Sequence, residues 1–145
     1  MSCVWRAAIM ICIHCDGDTK VTNSRLRKRS NQVWRRRQCL RCKAVFTTDE
    51  TVHYETAWTV KDKTGSYQPF MPDKLLLSLY RSLQHRSTAL SDATELSQTI
   101  IKKLRPEFVD SCIESYSIAQ TAQVALNRFD KAASTHYDAY HQRIR

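Results

Sequence analysis

Apolar residues recur at helical spacing through most of the second half of the chain. Residues 72–84, "PDKLLLSLYRSLQ", place Leu76, Leu79, Tyr80 and Leu83 on one face of a predicted helix. Three further helices follow. One begins near a capping pair, Asp92 and Glu95, and ends before Pro106, and the others cover residues 117–129 and 133–144. The apolar stripes of these last three helices are Leu96, Ile100 and Leu104; Ile118, Ala122, Ala125 and Phe129; and Tyr137, Tyr140 and Ile144.

Short strands precede the helices in two places. Residues 20–26 and 32–38 read as two strands joined by the turn "RKRSN", and residues 58–61 and 66–70 read as a second hairpin around "DKTG". On the first hairpin we expect one face to cover a core and the other face to be free. The pattern therefore predicts an α+β chain with a small β module followed by a mostly helical module carrying a short hairpin.

Charge divides the chain in the same way. The formal net charge is +9, and the first 48 residues account for all of it, with 11 Lys and Arg against Asp16 and Asp18. The remaining residues contain 12 charges of each sign. Such asymmetry favours a nucleic-acid-binding front module over a merely solvated basic face, which is the alternative interpretation.

Four of the six cysteines form two Cys-x-x-Cys pairs, Cys12 with Cys15 and Cys39 with Cys42. Two such pairs complete a closed tetrahedral thiolate shell of the kind that holds a structural zinc ion, one per chain, and they leave no position for a reactive water. Iron is the alternative metal, and a redox Cys-x-x-Cys is a weaker alternative because a βαβ context is missing. No leader or membrane span is evident, which favours a cytoplasmic protein without a membrane partner.

Arginines crowd the hairpin between the two cysteine pairs. Guanidinium groups bind phosphate in a bidentate manner and read guanine edges, so this surface is predicted to contact DNA or RNA. Trp34 lies among them and either packs the hairpin or stacks on a base. The chain has no P-loop, no His-Glu-x-x-His motif and no nucleophile elbow, so an enzyme is not expected.

From Met10 onwards the chain resembles the NrdR family of bacterial transcriptional repressors of ribonucleotide reductase genes, which join a zinc ribbon to an ATP-cone. The matching text is "CIHC", "DTKVTNSR", "RRRQCLRC", "FTTDET", "TVK", "QPF", "DKL" and "LNRFDKAA", in that order. The resemblance implies an extension over residues 1–9, with Met10 as a candidate start. It also implies a DNA-binding ribbon over 10–48, a linker over 49–57 and a nucleotide-binding ATP-cone over 58–145.

The resemblance further implies that nucleotide occupancy of the cone, by ATP or dATP, sets the oligomeric state of a homo-oligomer and thereby its binding to operator DNA. The residues matching the family's DNA contacts, together with Arg27 of the same basic hairpin, are Arg25, Arg27, Arg35, Arg36, Arg37 and Gln38. The positions implied for nucleotide contact are Val60, Lys61, Gln68, Phe70, Lys74 and Ser115. The alternative function is an interaction module that binds a protein partner, without site-specific DNA recognition.

Overall fold

The computed structural model describes residues 10–142, apart from the side chain of residue 142. The predicted extension over residues 1–9 and the predicted end of the last helix at Ile144 lie outside the described residues. The chain divides into two compact units, with the boundary between Val52 and His53. Each unit has its own sheet.

The first unit is built on a three-stranded antiparallel sheet with strand order β1-β2-β3. Its strands are β1 (Thr19–Arg27), β2 (Gln32–Cys39) and β3 (Val45–Glu50). The predicted hairpin is confirmed, and Asn31 helps to close its turn with a φ of 54°. The third strand was not predicted, because "VFTTDE" has too few apolar positions to show a clear alternation.

The second unit combines a small sheet with five helices. Its strands are β4 (Thr59–Lys61), β5 (Tyr67–Pro69) and β6 (Cys112–Glu114), in the order β5-β4-β6. Its helices are α1 (Tyr54–Ala57), α2 (Pro72–Leu83), α3 (Ala89–Leu104), α4 (Ser115–Phe129) and α5 (Lys131–Gln142). The hairpin of β4 and β5 and the four longer helices match the predicted elements. The predicted linker, residues 49–57, contains the end of β3 and all of α1.

The unpredicted strand β6 pairs in parallel with β4, so that Lys61 lies opposite Glu114. A strand of three residues is too short to show a period in its sequence. In addition, the pairing joins segments about fifty residues apart in the chain. This pairing brings the start of α4 next to the hairpin of β4 and β5, and it creates the cleft described below.

The four longer helices pack in a ring, in which α2 contacts α3 and α5, and α4 also contacts α3 and α5. Their stripes supply most of the core, including Leu79, Leu83, Ile100, Leu104 and Leu126. No described helix is long and apolar enough to cross a membrane.

Three predicted core positions are wrong, and one of them is Tyr140, which is 44% exposed near the end of α5. On α2 the buried residue is Leu75, while Leu76 is only half-buried. Phe129 is 43% exposed at the end of α4, where the guanidinium of Arg86 lies 4.9 Å from its ring centroid. A helical period cannot show how far a neighbouring element extends over the last turn, so the ends of the stripes are the least certain positions.

Candidate metal centre and ligand surfaces

The four cysteine sulfurs converge at one end of the ribbon sheet. Cys12 and Cys15 precede β1, Cys39 ends β2, and Cys42 lies in the loop before β3. The four Sγ atoms all lie within 4.8 Å of one another, with 3.7 Å between Cys12 and Cys42 and 3.5 Å between Cys15 and Cys39. A tetrahedron with Zn–S bonds of about 2.3 Å has edges of about 3.8 Å. A disulfide has an S–S length of about 2.05 Å, so the geometry fits a structural zinc ion and not two disulfides.

Backbone N–H groups favour the thiolate form of two of these sulfurs, those of Cys12 and Cys39. The N–H of His14 donates to Cys12 Sγ at 3.4 Å, and the N–H groups of Arg41 and Cys42 donate to Cys39 Sγ at 3.3 Å each. The N–H of Cys42, followed by that of Arg41, lowers the pKa of Cys39 to about 6. A thiolate is the form that binds zinc, so the loop backbone favours metal binding.

Each Cys-x-x-Cys turn ends in a left-handed residue. Asp16 follows Cys15 with a φ of 56°, and Lys43 follows Cys42 with a φ of 63°. Gly17 comes next in the first turn and packs against the second. A Cβ at this position would lie 3.2 Å from the Arg41 Cβ and 3.4 Å from the Cys15 Sγ. The absence of a side chain at Gly17 therefore lets the two turns approach closely enough to share one ion.

The basic residues do not share one face of the ribbon sheet, so the prediction of a single free arginine surface is wrong. Successive side chains of a strand point to opposite faces, which separates Arg36 from its neighbours Arg35 and Arg37. We call the two sides the Arg36 face and the Arg37 face. The strand register assigns Lys20, Arg25, Arg27, Trp34, Arg36, Gln38 and Asp49 to the Arg36 face, and Val33, Arg35, Arg37, Phe46, Thr48 and Glu50 to the Arg37 face.

The arginines of the Arg37 face already have partners. Arg35 pairs with Glu50 at 2.9 Å, and Arg37 Nε donates to Thr48 Oγ1 at 3.1 Å. On the Arg36 face, Arg27 lies 3.8 Å from Asp49. Within residues 10–142, the side chains of Arg25 and Arg36 have no ion pair or hydrogen bond.

The six predicted nucleotide residues fall into three groups. Lys61 and Ser115 line an open cleft of about 510 Å³ between the hairpin of β4 and β5 and the start of α4. Val60 is a cross-strand neighbour of Gln68, whose Oε1 accepts a hydrogen bond from Lys74 Nζ at 3.3 Å. Phe70 is 2% exposed and packs edge-on against Trp58, so its ring belongs to the core.

The other residues of this cleft, which were not among the six predicted nucleotide contacts, are Asp62, Lys63, Thr64, Gly65, Glu114 and Tyr116. Asp62 shapes the turn, since its Oδ1 accepts from the N–H and hydroxyl of Thr64 at 2.8 and 2.7 Å and from the N–H of Ser66 at 2.9 Å. The "DKTG" turn signal could have suggested the first four residues. Glu114 and Tyr116 needed the unpredicted pairing of β6 with β4.

The fold and the four-sulfur site define a zinc-ribbon protein with a second, mostly helical unit. A family model described as "Transcriptional repressor NrdR-like, N-terminal domain", a zinc ribbon, matches residues 10–50. The chain is also 30% identical over 136 residues to the Transcriptional repressor NrdR of Heliobacterium modesticaldum. This match covers 93% of the chain and 88% of that protein. The chain therefore belongs to the NrdR family of transcriptional repressors, which are regulators and not enzymes.

Proposed function

We propose that the chain is a zinc-dependent repressor that binds operator DNA upstream of ribonucleotide reductase genes and responds to ATP or dATP. The observation that carries this proposal is the match to a transcriptional repressor over nearly the whole chain, and not over the ribbon alone. Zinc has a structural role here: its four thiolate ligands hold the two turns together and thereby orient the strands.

DNA binding is assigned to the ribbon, residues 10–48. The support is the charge of this segment and the three-stranded sheet that presents it, since a narrow antiparallel ribbon can enter the major groove of a duplex. The candidate contacts are Arg25, Arg27, Arg35, Arg36, Arg37 and Gln38. Among the residues that the structure describes, the side chains of Arg25 and Arg36 have no ion pair or hydrogen bond.

Nucleotide binding is assigned to residues 58–145. The support is the cleft lined by Lys61, Lys63 and Ser115, the last of which is the first residue of α4. Lys61 and Lys63 would hold the phosphates, with Lys74 and Gln68 beside them on the next elements. Val60 and Phe70 would support the site from the sheet and the core.

In this proposal, nucleotide binding and DNA binding are coupled through the association of protomers into a homo-oligomer. A nucleotide that binds one associated state more tightly shifts the population towards that state. The association then sets the spacing of paired ribbons relative to two operator half-sites. By reciprocity, operator DNA should raise the affinity for the nucleotide that favours the DNA-bound state.

The test is DNA binding by the zinc-loaded full chain at near-physiological salt. The probes are a duplex from the promoter of the ribonucleotide reductase genes of the same genome and a scrambled duplex of equal length and composition. Each is measured without nucleotide, with ATP and with dATP, and light scattering reports the oligomeric state. We expect an operator preference that changes with nucleotide. Equal binding of both duplexes in all conditions would contradict the proposal and favour the protein-partner alternative, because basic proteins bind any DNA non-specifically.

A further inference from the structure

The two faces of the ribbon sheet differ in charge. The Arg36 face contains four cations, Lys20, Arg25, Arg27 and Arg36, against one acid, Asp49. The Arg37 face contains Arg35 and Arg37 against Glu50 and also presents apolar side chains, among them Val33 and Phe46. Phosphate groups are therefore attracted more strongly to the Arg36 face.

The faces differ also in the availability of their donors. Within the described residues, Lys20, Arg25 and Arg36 have no side-chain partner, and all three are exposed. Arg35 and Arg37 are half-buried and donate to Glu50 and Thr48 on β3. The Arg37 face thus uses its guanidinium groups to hold β3 against β2.

The energetic cost of freeing the arginines also favours DNA contact on the Arg36 face. A surface ion pair such as Arg35 with Glu50 contributes little to stability, so breaking it would not by itself prevent DNA contact. The released Glu50 carboxylate would then lie among phosphates of like charge, which adds an unfavourable term. The Arg36 face requires no such rearrangement, and its one acid, Asp49, lies beside Arg27.

We propose that DNA contacts the Arg36 face, through Arg36, Arg25 and the previously unassigned Lys20, and that Arg35 and Arg37 stabilise the sheet from the opposite face. This inference rests on the proposed function. Gln38 lies beside Lys20 in the strand register and can donate to and accept from a base edge. Trp34, a cross-strand neighbour of Arg25, lies on the same face, so its indole is placed beside the DNA.

Strand β2 supplies matched variants for the test. Arg36→Ala removes one guanidinium from the Arg36 face, and Arg35→Ala and Arg37→Ala each remove one from the other face, so all three variants lose the same charge. Binding to the promoter duplex and to the scrambled duplex is measured over a range of salt concentrations. Zinc content and the melting curve verify that each variant is folded.

We expect Arg36→Ala to weaken promoter binding by about tenfold and, if Arg36 contacts a phosphate, to reduce the slope of log K against log salt by about 0.9. Arg35→Ala and Arg37→Ala should retain promoter affinity within about threefold and should instead lower the melting temperature slightly. Losses that are equal on the two faces, or larger on the Arg37 face, would overturn the assignment.

A second pair of variants adds charge instead of removing it. Thr47 lies on the Arg36 face beside Arg36, and Thr48 lies on the opposite face beside Arg35. Thr47→Glu should weaken promoter binding more than Thr48→Glu, and the reverse order would contradict the inference. If the unmodified chain shows no preference for the promoter duplex, the proposed function itself fails, which is a result distinct from a wrong choice of face.

Discussion

At the scale of single residues, the metal centre depends on four sulfurs held in a small volume. Cys12 is fully buried and lies 3.7 Å from Cys42, whereas Cys112 is a thiol of the second unit, outside the four-sulfur group. The same substitution at these two cysteines should therefore reduce zinc binding at Cys12 and leave it unchanged at Cys112.

We predict that Cys12→Ser will reduce bound zinc to well below one ion per chain and unfold the ribbon, because a three-thiolate site loses affinity and metal binding supplies folding free energy. The measurement is zinc content after gel filtration, together with the melting curve. Cys112→Ser is the control and should retain zinc. Full zinc occupancy in the Cys12 variant would show that the ion is held elsewhere.

Gly17 provides a finer test of the same centre. Gly17→Ala would introduce a Cβ at 3.2 Å from the Arg41 Cβ, so the two turns must separate by a few tenths of an ångström. We expect the free energy of zinc binding to become less favourable by about 1–3 kcal/mol, which is the usual cost of adding an atom to a well-packed site. Competition with a chromophoric chelator measures this change. Gly65→Ala, in the hairpin turn of the second unit, should leave zinc affinity unaltered.

At the scale of elements, Asp130 links the end of α4 to the start of α5. Its Oδ1 accepts from the N–H of Ala133 at 3.0 Å, and its Oδ2 accepts from His85 at 3.0 Å and from Arg86 at 3.2 Å. The Ala133 N–H, followed by His85, lowers the pKa of Asp130 to about 2. Folding thus favours the carboxylate form.

The stability of the helical unit should consequently depend on pH over a defined acidic range. Because the folded pKa is depressed, the contribution of Asp130 is fully present above its ordinary pKa near 4 and is lost as the pH falls through about 2. We expect Asp130→Asn to lower the melting temperature at pH 7 and to weaken its dependence on pH between about 4 and 2. Far-UV circular dichroism of the helices measures this dependence, and an unchanged slope would exclude the mechanism.

The hairpin turn between β4 and β5 provides a second test at the element scale. Asp62→Ala removes the acceptor that organises Thr64 and Ser66, so the turn bearing Lys61 and Lys63 should lose its fixed form. We predict weaker ATP binding by isothermal titration, with little change in the melting of the helices. Asp73→Ala, in the first turn of α2 and outside the cleft, is a control of equal charge.

At the scale of the whole molecule, the two units have different sources of stability. The first unit has a small sheet and a four-sulfur centre, whereas the second has an apolar core among its helices. Removing zinc with a strong chelator should therefore abolish DNA binding while most of the helical circular dichroism at 222 nm remains. Adding zinc back should restore binding, and simultaneous loss of the helical signal would show that the units fold together.

Much of this organisation was predictable because the relevant signals are local. The spacing of Cys12, Cys15, Cys39 and Cys42 predicted the metal centre, and their sulfurs do converge. The helical stripes predicted α2 to α5, since burial along an amphipathic helix repeats every 3.6 residues. Errors arose towards the ends of these stripes, at Leu76, Phe129 and Tyr140, where coverage by a neighbouring element decides burial.

Long-range pairing escaped prediction for a different reason. Strand β6 is only three residues long, and its partner β4 is distant in the chain, so no local period reveals it. Without that pairing, Glu114 and Tyr116 could not be placed with the "DKTG" turn. The cleft exists because of this contact.

The sequence alone therefore determined the division into two modules, the ligands of the metal and the basic character of the ribbon. Each of these follows from local patterns, such as the spacing within each Cys-x-x-Cys pair and the run of arginines. The tertiary structure decided which of those residues act together. Strand alternation and register placed Arg36 and Arg37 on opposite faces, and the side chains on β3 determined which arginines are paired. The physical reason is that a side chain's direction and partners depend on the neighbouring strand, which the local sequence does not encode.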